Sequence, residues 1–287
     1  MVPPRRSDAD GAPEAGSNAG SDADDAVSRS DLVADLREIG VESGTELVVH
    51  ASLSSLGWVS GGAAAVVDAL CEVTGSDGTV AVPTFTPPSV VETEPFDPAT
   101  MRSRTGAITE ALRARPDARR SEHPTHSVAA LGPAAGELTR DHRLDRSLGA
   151  DSPLHRLAQR GGQVLLLGVG HERNSTLHVA EALADLPYKT GTNRVLVRDR
   201  GEVRTVETAR VGCGKGFPAV EPLARDAGIV RRGTVGAADA QLVPAAAIID
   251  LTAEVLADDP GFLLCSDPGC WWCPDARRTL ASSRDSG

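Results

Sequence analysis

Two side chains suited to proton transfer stand three residues apart in the segment from Asn174 to Glu181. This segment follows the most apolar run of the chain, Gln163 to Val169, and leads into a predicted helix that ends near Pro187. Residues three apart share one face of a helix, so His178 and Glu181 can form a hydrogen bond. The helix start disfavours an imidazolium and the carboxylate favours it, a balance that suits a general base near neutral pH. An exposed pair on a helix surface is the alternative interpretation.

A second segment, from His50 to Gly62, connects a predicted strand to a predicted helix. At such a connection, free backbone amides and the helix dipole favour a phosphate or pyrophosphate. Its hydroxyl and glycine residues are Ser52, Ser54, Ser55, Gly57, Gly61 and Gly62. The patterns GxGxxG and GxxxxGK[ST] are both absent, so a Rossmann or nucleoside-triphosphate site lacks its signature. An ordinary loop remains the alternative, because Ser and Gly are common in loops for conformational reasons.

Two histidines, His123 and His126, flank Pro124 just before another predicted strand. No further metal-binding pattern, such as H-E-x-x-H, accompanies them. A structural role or a position in a cleft is therefore a better interpretation than metal coordination.

Four of the five cysteines form a candidate metal site. Cys265, Cys270 and Cys273 have the spacing C-x4-C-x2-C, and Cys213 stands between two glycines. Four thiolates are a typical ligand set for tetrahedral zinc. The alternative is a group of reduced thiols in a C-terminal turn, since an odd number of cysteines does not indicate a disulfide framework.

Alternating strands and helices must position these groups. Predicted strands cover residues 47–49, 79–82, 127–131 and 163–169, and predicted helices cover 30–40, 64–73, 106–115 and 152–159. The pattern also predicts a hairpin around Gly201, formed by residues 195–198 and 203–206. It predicts a last long helix over residues 243–256. The pattern predicts an α/β fold: a single domain with a mixed β-sheet flanked by helices.

Composition narrows the class of protein and its partners. The 287 residues include 40 acidic and 29 basic side chains, with a formal net charge of -11. This charge repels nucleic acid and anionic lipid, so we expect no nucleic-acid partner. No apolar run reaches the roughly 18 residues of a membrane span, and the N-terminus does not resemble a signal peptide, so we expect a cytoplasmic protein without a membrane partner.

Residues 1–27, rich in Asp, Ala, Gly and Ser, are predicted to form a disordered acidic tail, and residues 28–287 the domain.

Five blocks in one order along residues 47–188 resemble the aminoglycoside 3-N-acetyltransferase family. They are His50 to Ala63, Thr100 to Gly106 with Glu110, His123 to Pro133, Gly149 with Ser152 to Leu154, and the segment with His178 and Glu181. The resemblance implies the antibiotic acetyltransferase fold, which is distinct from the GNAT superfamily. It makes residues 28–287 an acetyltransferase domain with a cysteine-containing C-terminal segment.

The resemblance also implies roles for individual residues. Those expected to bind acetyl-coenzyme A, the co-substrate, are His50, Ser52, Leu53, Ser54, Ser55, Gly57, Trp58, Gly61, Gly62 and Thr105. His178 is the expected general base, Glu181 the carboxylate that orients it, and Ser175 the hydroxyl donor at a position where the family commonly has threonine. Asp97 and His123 are expected in the substrate pocket.

These roles predict an acetyl-coenzyme A-dependent N-acetyltransferase that acts on an amine, resembling enzymes of aminoglycoside antibiotic resistance. Direct transfer in a ternary complex is implied, and an acyl-enzyme on Cys71 is the weaker alternative, because Cys71 lies in the apolar pattern of a helix. Two other functions stay open: a coenzyme A or small-molecule binding protein without catalysis, and a coenzyme A thioesterase.

Overall fold

A computed structural model describes residues 26–284 of the chain, without the side chain of residue 284. Residues 1–25 of the predicted acidic tail lie outside the described residues. Val27 forms a single parallel bridge with Val59, so the described fold includes this last residue of the predicted tail.

Seven strands form one mixed sheet. The strands are β1 (Glu46–Ala51), β2 (Thr79–Pro83), β3 (Arg119–Arg120), β4 (Val128–Leu131), β5 (Gln163–Leu167), β8 (Arg231–Val235) and β9 (Ala238–Pro244), in the order β3-β4-β2-β1-β5-β9-β8. β1 lies at the centre and pairs in parallel with β2 and with β5, where His50 is opposite Leu166. The remaining pairs are antiparallel, so the predicted mixed sheet is confirmed.

Helices cover both faces of this sheet. They are α1 (Arg29–Glu38), α2 (Gly62–Thr74), α3 (Pro88–Val91), α4 (Ala107–Arg113), α5 (Ala135–Thr139), α6 (Pro153–Gln159), α7 (Leu177–Leu183), α8 (Val220–Asp226), α9 (Ala245–Asp258) and α10 (Cys273–Arg284). None of the helices in residues 26–284 is both long and apolar enough to cross a membrane.

Two hydrophobic cores lie on opposite faces of the central strands. Val48 of β1 belongs to the core that includes α6, α7 and α9, whereas Leu47 and Val49 belong to the core with α1 and α2. Successive residues of a strand point to opposite faces, and both faces here are covered. The apolar runs of β1 and β5 follow from this double burial.

Residues 192–209 form a separate two-stranded sheet. β6 (Thr192–Asp199) and β7 (Glu202–Ala209) pair along their whole length, which confirms the predicted hairpin. Val195 packs with Val91, Phe96 and Met101 in a small third core, and Phe96 forms a single bridge with Val197.

The C-terminal third differs from the sequence prediction, which included neither β8 and β9 nor α8 and α10. Val243 and Pro244 belong to β9, so the helix predicted from residue 243 begins at Ala245 and ends at Asp258. That helix is not the last one, because α10 follows from Cys273. Pro244 ends the strand and precedes the helix, a position that its fixed φ and missing N–H allow.

Candidate active site

A cavity of about 1280 Å³ opens at the carboxyl end of β1. The residues predicted to bind acetyl-coenzyme A line it, with the exception of Ser55; they are His50, Ser52, Leu53, Ser54, Gly57, Trp58, Gly61, Gly62 and Thr105. The structure therefore brings together residues that the sequence places in two separate segments.

Ser55 does not line the cavity, and its side chain links the loop from His50 to Gly62 to the end of β5. Its hydroxyl donates to Ser52 Oγ at 2.9 Å and to the Gly168 carbonyl at 3.1 Å. The Ser52 amide in turn donates to the Leu167 carbonyl at 3.0 Å. The loop is thus tied to the end of β5, and its outer residues remain open to the cavity.

The loop ends at the start of α2, a helix of 13 residues. Gly61 and Gly62 have φ values of +82° and +59°, a region that glycine adopts at little cost. A Cβ on Gly62 would meet no heavy atom within 4 Å. The first amides of a helix lack intrahelical acceptors, so this end can bind an anionic group of a ligand in the cavity.

Two arginines of this cavity were missing from the predicted binding residues. Arg104 and Arg173 line the same cavity, one just before α4 and the other just before Asn174. Their guanidinium groups can pair with phosphates, which is chemistry suited to coenzyme A. Arg104 lies inside the block from Thr100 to Gly106 that resembles the family, whereas nothing in the sequence distinguished Arg173 from the other basic residues.

His50 is buried at the base of the cavity. Burial, with a smaller contribution from the neighbouring His171, lowers the pKa of His50 to about 3, so its imidazole is neutral. Its Nε2 has no hydrogen-bond partner among the described residues.

A second cavity of about 300 Å³ contains His178 and Glu181. His178 Nδ1 donates to Glu181 Oε2 at 2.6 Å, which leaves Nε2 with its lone pair as the basic atom. The side chain of His178 is 11% exposed and that of Glu181 is 2% exposed. The buried pair excludes the alternative interpretation as an exposed helix-surface pair.

Lys189 completes the network and was not predicted. Its ammonium donates to Glu181 Oε2 at 2.9 Å and also to the Val211 carbonyl. The charge of Glu181 is therefore paired inside the protein, which a buried carboxylate requires. One signal was present in the sequence, since Lys189 and Lys215 are its only lysines.

The network sets the protonation states of its members. Burial lowers the pKa of His178; Glu181 opposes this shift and Lys189 adds to it. Burial raises the pKa of Glu181, but Lys189 and His178 outweigh this and the net shift is downward. The resting state is a neutral imidazole beside a carboxylate, the form that can accept a proton.

The turn before α7 separates the two cavities. Ser175 is half-buried and lines the larger cavity, whereas Thr176 is fully buried. Thr176 flanks the helix start, and its amide donates to Asn174 Oδ1 at 3.1 Å, so the side chain of Asn174 and not a hydroxyl accepts from this turn. Ser175 therefore has its hydroxyl free of a capping role and lies on the wall of the cavity that His178 does not line.

The two residues predicted for the substrate pocket lie elsewhere. His123 is completely buried, and its Nδ1 accepts from the His126 amide at 3.0 Å. Asp97 Oδ1 accepts from the Ala99 amide at 2.9 Å and shapes a turn. Neither residue lines the cavity of about 1280 Å³ or the cavity of about 300 Å³.

His126, the second histidine of that motif, is the one nearer the candidate base. Its ring lies 5.8 Å from that of His123, and burial, followed by the charges of His178 and His142, lowers its pKa well below the ordinary value. The candidate metal cluster found in residues 26–284 consists of cysteines and includes neither His123 nor His126.

Cys71 is half-buried on α2 and packs against the core beneath that helix. Burial raises the pKa of its thiol, and Cys71 lines neither the large nor the small cavity. A nucleophilic cysteine needs a lowered pKa and access to substrate, so the structure does not favour the acyl-enzyme alternative.

Comparison with known proteins gives one family. A family model described as aminoglycoside 3-N-acetyltransferase matches residues 48–257. Aminoglycoside N(3)-acetyltransferase VII of Streptomyces paromomycinus is 38% identical, over 79% of this chain and 90% of its own length. Aminoglycoside N(3)-acetyltransferase VIII of Streptomyces fradiae is 37% identical, over 79% of this chain and 91% of its own length.

Solved structures agree with this result. The apoenzyme of aminoglycoside acetyltransferase AAC(3)-IVa superposes with a TM-score of 0.80 at 31% identity, over 88% of this chain and 98% of that one. A histidine-to-alanine variant of that enzyme in complex with a gentamicin gives the same TM-score at 30% identity and the same coverage. AAC-IIIb, solved as a binary complex with CoASH, gives a TM-score of 0.75 at 32% identity, over 81% and 97% of the two chains.

Proposed function

The chain belongs to the aminoglycoside 3-N-acetyltransferase family and is an N-acetyltransferase, and from this premise we propose that it transfers the acetyl group of acetyl-coenzyme A directly to an aminoglycoside amine, with His178 as general base. The observation that carries the proposal is the position of the turn at residues 174–178. Ser175 on this turn faces the large cavity, and His178 faces the small one.

The large cavity is the proposed site of acetyl-coenzyme A. The amides at the start of α2, together with Arg104 and Arg173, suit the phosphates of coenzyme A. A relative of similar fold was solved with CoASH, which supports this assignment. The bound thioester supplies the acetyl group, and the residues of the protein handle the proton and the developing charge.

The proton leaves the acceptor amine through His178. Alkyl amines are mostly ammonium ions at neutral pH, and an ammonium nitrogen has no lone pair, so it must lose a proton before it attacks the thioester. Nε2 of His178 accepts this proton, because Nδ1 is already occupied by Glu181. Glu181 then stabilises the imidazolium, and Lys189 keeps the carboxylate charged and in place.

Ser175 acts on the other reacting group. Negative charge develops on the thioester oxygen as the amine attacks, and the sulfur leaves as a thiolate. The hydroxyl of Ser175 lines the large cavity on the same turn as His178 and can donate to either atom. Its contribution is largest in the transition state, where that charge appears.

The acceptor is assigned to the small cavity. His178 lines it, and so do carboxylates that can pair with the ammonium groups of an aminoglycoside, Asp145 and Asp185, beside the cations of Arg146, Lys189 and Arg210. A gentamicin and sisomicin are bound by relatives of similar fold, which supports the same substrate class for this chain. Acetylation of such a drug removes a positive charge, so the enzyme would confer antibiotic resistance.

Release of the coenzyme A thiol, measured with and without amine, tests the proposal. We expect thiol release with an aminoglycoside that has a 3-amino group, and almost none with an analogue lacking that group or without amine. Mass spectrometry of the product should show a single added acetyl group. Equal thiol release without amine would identify a thioesterase, and coenzyme A binding without any release would identify a binding protein.

A further inference from the structure

We infer that Cys213, Cys265, Cys270 and Cys273 form a structural zinc site that fastens the C-terminal segment, residues 259–284, to the loop beside the candidate active site. The four Sγ atoms lie within 4.8 Å of one another. This site is separate from both cavities and does not depend on the proposed function.

The spacing of the sulfur atoms fits a metal and not a disulfide. Cys213 Sγ and Cys265 Sγ are 4.0 Å apart. Tetrahedral zinc with Zn–S bonds of about 2.3 Å places its ligands roughly 3.8 Å from one another. A disulfide requires an S–S distance of about 2.0 Å. Four sulfur atoms within 4.8 Å of one another can bind one ion at their centre.

The surroundings of the sulfurs suit thiolates. The Lys215 amide donates to Cys213 Sγ at 3.3 Å, and the Cys273 amide donates to Cys270 Sγ at 3.5 Å. Cys273 is the first residue of α10, a helix of 12 residues whose positive end points at the cluster. All four side chains are buried, with exposures between 0% and 8%. Four thiolates in a closed tetrahedral site select zinc or iron, and zinc is the common structural choice.

Backbone contacts fix the two segments that supply the cysteines. Arg277 donates to the carbonyls of Leu264 and Cys265 at 2.8 and 2.7 Å. A Cβ on Gly216 would collide with the Leu263 backbone, so the loop and the C-terminal segment are in close contact at this point. The cysteines are therefore held in position by bonds that do not involve sulfur.

The loop with Cys213 also supports the network of His178. Val211, two residues before Cys213, accepts from Lys189, and the ring of Phe217 lies 4.6 Å from that of His178. On the other side of the cluster, Trp272 lies 5.7 Å from Lys189 Nζ. Zinc would thus hold together two segments that both contact the network, although it touches no reacting atom.

The direct test measures metal in the full-length protein purified without added metal or chelator. We expect about one zinc per chain by elemental analysis, released by a mercurial reagent that modifies the thiolates. In denaturant without reductant, five free thiols per chain should be counted, in line with the five cysteines of the sequence. Iron in place of zinc, or a thiol count lowered by a disulfide, would overturn the assignment. So would a zinc content below about a tenth per chain together with no uptake by the reduced protein.

Cysteine variants distinguish a zinc site from four buried thiols that bind no metal. Cys270→Ser should lose zinc, whereas Cys71→Ser, which changes the one cysteine outside the cluster, should retain it. If Cys270→Ser does not fold, cobalt exchange into the unaltered protein still shows whether the four thiolates bind one metal ion. Thiolate-to-cobalt charge-transfer bands with the visible absorption of a tetrahedral ion support the site, and their absence after full exchange contradicts it. None of these readouts uses acetyl transfer, so the zinc site and the proposed function fail independently.

Discussion

The walls of the large cavity and the buried network of His178, Glu181 and Lys189 are built in opposite ways. The loop from His50 to Gly62 offers amides, small hydroxyls and open space, all supplied by one continuous stretch of chain. The network consists of charged side chains held by contacts across the fold, such as that of Lys189 with Val211.

The two regions depend on different features of the fold: the loop on its backbone, and the network on its side chains. An amide at a helix start is polarised wherever the helix forms, so a binding loop of this kind tolerates side-chain changes that leave the backbone in place. A buried carboxylate is stable only with its partners, and removal of one partner leaves an unpaired charge. Variants of the network should therefore change turnover and its pH dependence, and variants of the loop should change the affinity for acetyl-coenzyme A.

The largest expected effect is that of His178→Ala. Loss of a positioned base costs on the order of 10²- to 10⁴-fold in kcat, and coenzyme A affinity should stay unchanged because His178 lies in the other cavity. Steady-state kinetics and calorimetric titration with coenzyme A measure the two quantities. His155→Ala, at a histidine outside both cavities, is the control. Turnover above about a tenth of the parent would contradict general-base catalysis by His178.

Glu181→Gln should have an intermediate effect, with kcat lower by roughly ten- to a hundredfold. Glu181 raises the pKa of His178, so its neutral replacement should move the acid limb of the kcat profile to lower pH. Combined with His178→Ala, the change should add little further loss, since the two residues act as a unit. Glu46→Gln, at a surface ion pair with Arg160, is the matched control. An unmoved acid limb would refute the coupling.

Lys189→Met should lower kcat by a smaller factor, roughly three- to tenfold, and move the acid limb in the opposite direction. The charge of Lys189 lowers the pKa of His178, so its removal raises that pKa and the limb shifts to higher pH. Unfolding free energy should fall by up to about 3–5 kcal/mol, because the buried carboxylate of Glu181 loses its cation and keeps only the hydrogen bond from His178. Lys215→Met removes the other lysine as a control. If the acid limb moves in the same direction in Glu181→Gln and in Lys189→Met, the opposite effects assigned to these two residues on the pKa of His178 are wrong.

Gly62→Leu should raise the KM for acetyl-coenzyme A by up to about tenfold with kcat nearly unchanged, since the side chain would enter the space used by the ligand. Gly44→Leu is matched to it: Gly44 also has a positive φ and open space around its Cβ, but lines neither cavity. If both variants fold and Gly62→Leu binds coenzyme A as tightly as the parent, the loop has been assigned to the wrong ligand.

The same contrast explains which parts of the fold could be predicted. The strands β1, β2 and β5 are buried on both faces and read as apolar runs, and the loop after β1 follows directly from its own glycines and serines. β8 was missed because four of its five residues, beginning with Arg231 and Arg232, are exposed at the sheet edge. An edge strand with one buried residue has no hydrophobic alternation to detect. α10 was missed because its composition is polar, although Pro274 in its first turn is a common helix start.

The candidate active site also contains residues that the sequence predicted and residues that it did not. His178, Glu181 and Ser175 were predicted because they lie within one short segment and because that segment resembles a family motif. Lys189, Phe217 and Val211 come from later segments and meet the pair only when the chain is folded. His123 was assigned to the substrate pocket from its motif, and the motif does not show which of the two neighbouring histidines lies nearer His178.

The hairpin β6–β7 has a consequence for how substrates enter. Its small core contains four buried side chains, and it joins the rest of the fold through Phe96 and through Ser147, whose hydroxyl donates to the Ala209 carbonyl at 2.7 Å. Regions with few buried contacts open at a lower free energy than the global unfolding reaction. Amide hydrogens of the hairpin should therefore exchange faster than those of the seven-stranded sheet. Because β7 leads directly to the lining residues Arg210 and Val211, such opening would widen the small cavity while the strands beneath the large one stay protected.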